Sequence, residues 1–91
     1  MADRTIRTRH PQGKSGKNIS SEKYEAVKAA MLSALKGHEL THSELMQALA
    51  ARLKGKFEGN VSWYGETVKL DLESRKLLER TSTKPQKYRL S

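Results

Sequence analysis

Apolar side chains recur at steps of three and four over three stretches of this chain. The first stripe is Tyr24, Val27, Met31, Ala34 and Leu35, the spacing of one helix face. Ser20 stands before it as an N-cap, with Ile19 and Tyr24 placed to close a hydrophobic staple around the cap. Lys36-Gly37 ends it, since glycine enters the left-handed region without a steric penalty. The second stripe is Leu45, Leu49 and Leu53, with Met46 and Ala50 beside it. Its start is marked by Thr41-His42-Ser43-Glu44, a capping box in which Thr41 and Glu44 satisfy each other's end of the first turn, with Leu40 and Leu45 as staple. "KGKFEGN", residues 54–60, reads as a loop. A third helix is predicted over Ser62 to Arg75, with Val61, Tyr64, Val68 and Leu72 on the core face.

That third helix carries a second apolar strip. Trp63 and Leu70 fall nearly opposite the core face, with Thr67 and Ser74 near them, which a plain surface helix does not show. Either the N-terminal segment folds over the strip or a partner, such as a second copy, docks there. After it the period changes to two. Leu78, Arg80 and Ser82 alternate with Glu79 and Thr81, and Tyr88 alternates with Arg89 and Leu90. "TSTKPQ" between them contains Pro85, so the end is a β-hairpin with a flexible tip. Residues 1–18 are rich in Arg, Lys, Gly, Ser and Thr, with Ile6 the one large aliphatic residue before position 18. They are expected to form a flexible basic arm ahead of a domain over residues 19–91. The fold class is α+β, mainly helical.

Charge sharpens the picture once it is located. The net charge is +8, of which residues 1–17 hold +4, residues 18–76 hold +1 and residues 77–91 hold +3. Basic charge gathered at the two ends points to a polyanion, either DNA, RNA or an acidic protein surface; the plain alternative is solubility.

Several chemistries are set aside. No apolar run reaches the ~18–20 residues of a membrane span, and "MADRTIRTRHPQGKSGK" lacks the apolar core of a signal peptide, so a cytoplasmic protein is expected. With no cysteine there is no disulfide, thiolate metal site or cysteine nucleophile. "GKSGKN" falls short of a phosphate-binding loop, because Thr8 and Pro11 stand where its first glycine belongs. His38-Glu39-Leu40-Thr41-His42 matches the zinc-protease pattern H-E-x-x-H, but that site requires both histidines one turn apart on one helix. Here the helix is predicted to start between them. Neither Ser43 nor Ser62 has a spaced His and Asp, and His10, His38 and His42 read as surface or capping-region residues. No enzyme activity, cofactor or metal is expected.

Three helices, a short extended "HEL" before the second and a C-terminal hairpin follow the order of a winged helix-turn-helix domain, which the chain resembles over residues 20–91. The junction "TVKLDLESRKLLERTSTKPQKYRLS" is similar to that superfamily's third helix, strand, wing and strand. More narrowly, "WYGETVKLDLESRKLLER" with "KPQKYRL" resembles a small, mostly bacterial winged-helix-like family with no assigned function. The superfamily resemblance implies DNA binding, with the third helix in the major groove and the wing beside the backbone. It would turn Trp63, Glu66, Thr67, Lys69, Leu70 and Glu73 towards DNA. Glu66, Asp71 and Glu73 against a central Lys69 make a poor reading surface, since base edges and phosphates favour Arg, Lys, Asn and Gln. Lys76 stands where the superfamily commonly has glycine, and a left-handed lysine there costs on the order of 1 kcal/mol. The expected DNA contacts are therefore Lys84, Lys87 and Arg89 on the wing and Arg4, Arg7, Arg9, Lys14 and Lys17 on the arm, with Lys69 between them. A small DNA-binding protein of the transcriptional-regulator kind is the leading expectation. The alternative is a protein-interaction module, or a homodimer, docking through Trp63 and Leu70.

Overall fold

The first apolar stripe and its cap build a helix as the pattern requires. In the computed structural model, which describes residues 4–9, 16–55, 57 and 59–91, α1 spans Ser21–Leu35. Ser20 Oγ accepts from the Lys23 N–H, and the staple residues Ile19 and Tyr24 are both buried. Helix α2 (His42–Leu53) starts with the full capping box, Thr41 Oγ1 accepting from Glu44 N–H and Glu44 Oε1 from Thr41 N–H. The Thr41 main-chain N–H first, and then the Thr41 hydroxyl, hold the Glu44 carboxyl below its ordinary range. Helix α3 (Val61–Ser74) is capped by Asn60, whose Oδ1 accepts from Trp63 N–H.

The three helices meet in one core. Val27, Met31 and Leu35 of α1, Leu45 and Leu49 of α2, and Val68 and Leu72 of α3 have essentially no exposed surface. Each such side chain contributes about 1.5–3 kcal/mol. Helices α2 and α3 approach closely at Gly65, where a Cβ would lie 2.8 Å from Met46 Sδ and 2.9 Å from Leu49 Cδ1.

The third helix ends by reversing on a lysine. Leu77 N–H donates to the Leu72 carbonyl at 2.9 Å and Lys76 N–H to the Glu73 carbonyl at 3.1 Å, the paired bonds of a Schellman ending. The motif needs a left-handed residue, and Lys76 adopts it at φ 66. The strain expected at this position is therefore present. Lys76→Gly should raise stability by about 0.5–1 kcal/mol, less than the full strain because glycine also loosens the unfolded chain. Thermal melts of the variant are expected to shift up by a few °C; an unchanged or lower Tm would show that the lysine side chain offsets its own backbone cost.

Two small antiparallel sheets complete the chain. Strand β3 (Leu40–Thr41) and the hairpin of β4 (Leu78–Arg80) and β5 (Lys87–Leu90) form one sheet in the order β3-β5-β4, with Leu40 opposite Tyr88 and Leu78 opposite Leu90. The hairpin tip, expected to be flexible, is internally tied: Thr81 Oγ1 accepts from Lys87 N–H and contacts Thr83 Oγ1, which in turn donates to the Pro85 carbonyl. The second sheet lies in what the sequence pattern leaves as a flexible arm. Strand β1 (Thr5–Arg7) pairs with β2 (Asn18–Ser20), Ile6 opposite Ile19. Alternation explains it. Ile6 packs on the core and Thr8 is buried, so Arg7 and Arg9 point outwards. Thr8 closes the hairpin further, exchanging bonds with the N–H and carbonyl of Lys17.

Candidate nucleic-acid interface

Helix α3 organises the surface, because each carboxylate on it is drawn inwards or paired. Asp71 is fully buried. Its Oδ2 accepts from the Tyr24 hydroxyl and from Arg75 Nε at 2.8 Å, and its Oδ1 accepts from the Arg9 main-chain N–H at 2.8 Å. Burial first, and then the Asp71 carboxylate, push the Tyr24 hydroxyl well above its ordinary pKa. The hydrogen bond it donates to Asp71 likewise raises Arg75. This carboxylate is thus an anchor for the N-terminal hairpin, and cannot repel a phosphate as its sequence position implied.

On the other side of α3, Lys69 is 3% exposed. Its ammonium lies 3.0 Å from His42 Nδ1, 3.1 Å from the Tyr88 hydroxyl and 3.2 Å from Glu66 Oε2, with the Tyr88 ring 4.2 Å below it. The sequence reading that turns Lys69 towards DNA is corrected here: an ammonium this deep holds α3 to β5 and the start of α2 and reaches no phosphate. His42 opens α2 inside this cluster, while exposed His38 precedes β3, so the two histidines do not share a helix. Glu73 Oε2 accepts from Arg80 Nε at 3.0 Å, while its buried Oε1 has no hydrogen-bond partner among the described residues.

With its acids engaged, the outward strip of α3 is neutral: Trp63, Thr67, Leu70 and Ser74. Trp63 is 44% exposed, and Leu70 is half-buried. Trp63 stands edge-to-face on Tyr64 with ring centroids 4.9 Å apart, and Tyr64 stands in the same way on Phe57 at 5.2 Å. The Lys23 ammonium lies 5.2 Å from the Tyr64 centroid. Leu77, just past α3, is 40% exposed and was not foreseen from the pattern.

The two basic ends flank this strip. The N-terminal hairpin reaches α3 on the Asp71 side, and the C-terminal hairpin reaches it on the Glu73 side through Arg80. Arg4, Arg7, Arg9 and Lys17 are exposed and have no ion-pair partner among the described residues; Lys14 lies outside the described residues. On the C-terminal hairpin Lys84 is exposed and Lys87 half-buried. Arg89 is already neutralised, with Nε 2.7 Å from Glu79 and Nη1 2.9 Å from Glu39, and these carboxylates raise its pKa. Lys23 and Asp71 are the positions at this surface that the pattern missed. The signal for Asp71 was its place one turn before Arg75.

Among the described residues no three His, Cys, Asp or Glu side chains group as metal ligands, and no helix is long and apolar enough to cross a membrane. No curated protein and no solved structure matches the chain. No winged-helix or helix-turn-helix family matches it either. One family model does match, over residues 5–88, and by that match the chain belongs to DUF6958, a family of unknown function.

Proposed function

We propose that this chain is a small winged-helix protein of the cytoplasm that binds nucleic acid through its two basic hairpins and acts in regulation. One observation carries the reading: the Arg9 N–H bond to Asp71 fastens a hairpin bearing Arg4, Arg7 and Arg9 across α3 from the Lys84-bearing hairpin. Cations fixed on a folded frame lose little freedom when they meet a phosphate, whereas an unstructured arm must be ordered first. The pairing of Glu66, Asp71 and Glu73 removes the repulsion that would oppose a polyanion at α3.

Binding of this kind is driven by counterion release. The test is fluorescence anisotropy of labelled duplex and single-stranded oligonucleotides against the full chain over a range of salt. Replacing Arg4, Arg7 and Arg9 together by serine leaves the inward residues Ile6 and Thr8 in place. The triple variant is expected to lower the slope of log affinity against log salt by about 2–3. It should weaken binding at least about tenfold near 0.1 M salt, by similar factors for unrelated sequences. Arg89→Ser should leave the slope nearly unchanged, because its charge is already spent on Glu39 and Glu79. Equal binding by the triple variant and the parent, or none by either at low salt, would overturn the reading.

A further inference from the structure

The outward strip of α3 is poorly made for a duplex and well made for an unpaired base. Reading a major groove takes Arg, Lys, Asn or Gln at the positions that face it. Here those positions hold Trp63, Thr67, Leu70 and Ser74, and the central Lys69 is buried against Tyr88. What the strip offers instead is an exposed aromatic ring. Trp63 is the chain's one tryptophan, 44% exposed, and it is steadied by an edge-to-face contact with Tyr64, itself braced by Phe57. The Lys23 ammonium sits over the Tyr64 ring, so a cation stands one side chain away from the indole. The nearest carboxylate along the helix, Glu66, is engaged with Lys69.

We infer that Trp63 is a stacking platform for an unpaired base of a single-stranded polynucleotide, with Lys23 and the basic hairpin holding the phosphates on either side of it. The inference rests on the nucleic-acid reading above and narrows it to single strands. Stacking on an aromatic face is tolerant of base identity, since every base has a π-face, and it calls for charge nearby to track the backbone. Lys23 stands over the ring that braces Trp63, and the basic hairpin meets the same helix at Asp71, while Arg, Lys, Asn and Gln are missing from the outward strip.

The single tryptophan is its own reporter. Intrinsic fluorescence is followed while oligo(dT) or oligo(U), each about fifteen nucleotides long, or a duplex of similar length is added to the full chain. The single strands are expected to quench Trp63 and the duplex to leave it nearly unchanged. By anisotropy, Trp63→Ala should weaken single-strand binding about tenfold, and Trp63→Phe, which keeps a ring, should recover most of the loss. Duplex binding should move less than about twofold in either variant. Circular dichroism melts of both variants establish that they fold. A preference for oligo(dT) or for oligo(U) identifies the source of the strand, and either outcome supports the platform. If Trp63→Ala binds single strands as the parent does, the platform is wrong while salt-dependent binding through the hairpins stands. If no oligonucleotide binds at low salt, both readings fall. A Trp63→Ala variant that binds every oligonucleotide normally but changes oligomeric state on sedimentation would move Trp63 to a contact between copies, and would overturn the inference.

Discussion

Asp71→Ala is expected to cost the protein about 3 kcal/mol, a large share of the roughly 5–14 kcal/mol that a domain of this length commands. The carboxylate is fully buried and accepts from three donors on three parts of the chain: Tyr24 in α1, Arg75 at the end of α3, and the Arg9 main chain beyond β1. Removing it leaves the buried Tyr24 hydroxyl and the part-buried Arg9 N–H without their acceptor, which costs about 1–3 kcal/mol for each group that stays unpaired. Arg75 is partly exposed and turns to solvent, so its share of the loss is small. Thermal unfolding should fall by on the order of 15 °C. Hydrogen exchange would separate the parts: the Arg9 amide should lose protection before the α1 core does, because the hairpin is released first. A loss under about 1 kcal/mol would mean that water replaces the carboxylate without penalty, and that the hairpin is not held by it.

The anchoring role of Asp71 also shows what the sequence could and could not tell. Helix starts were legible because their signals are local. Ser20 and Thr41 cap the first two helices, the capping box at Thr41–Glu44 lying within four residues, while Asn60, which read as loop, caps the third. The core was legible because one period of apolar side chains marks one face, as Val68 and Leu72 do on α3. Lys76 was legible as a strained reversal through the winged-helix resemblance, in which glycine is common at that position. Polar interior residues were not legible. Asp71 and Lys69 look like solvent-facing charges, since burying either is costly unless partners arrive, and those partners sit far away in sequence. Tyr24 is 47 residues from Asp71, and Arg9 is 62. The same long-range bonds turn residues that read as a loose arm into a paired hairpin. Ile6 and Thr8 did carry an alternating signal, but over too few residues to stand out from a basic, Ser- and Gly-rich stretch. The basic side chains themselves were legible as a group; of those expected to meet DNA, Lys69 proves to be buried and Arg89 to be held by two surface carboxylates.

The Tyr24–Asp71 bond makes a second large effect, seen on the alkaline side. Burial, and then the neighbouring carboxylate, hold the Tyr24 hydroxyl well above its ordinary pKa of 10.0. The folded state therefore keeps a proton that the unfolded chain releases at about pH 10. A raised folded pKa gives stability that is fully present below pH 10 and is lost as pH climbs from there towards the folded value. The loss runs at up to about 1.4 kcal/mol per pH unit. Tyr24→Phe removes the titrating group. At neutral pH it should be less stable than the parent by about 1.5–2 kcal/mol, the worth of a hydrogen bond to a charged acceptor. Above pH 10 the two stability curves, from denaturant titrations at successive pH values, should converge. Lysines and the other tyrosines titrate in both proteins and cancel in the difference. Curves that stay parallel from pH 9 to 12 would mean that Tyr24 ionises as freely in the fold as out of it, and so that its bond to Asp71 is not made in solution.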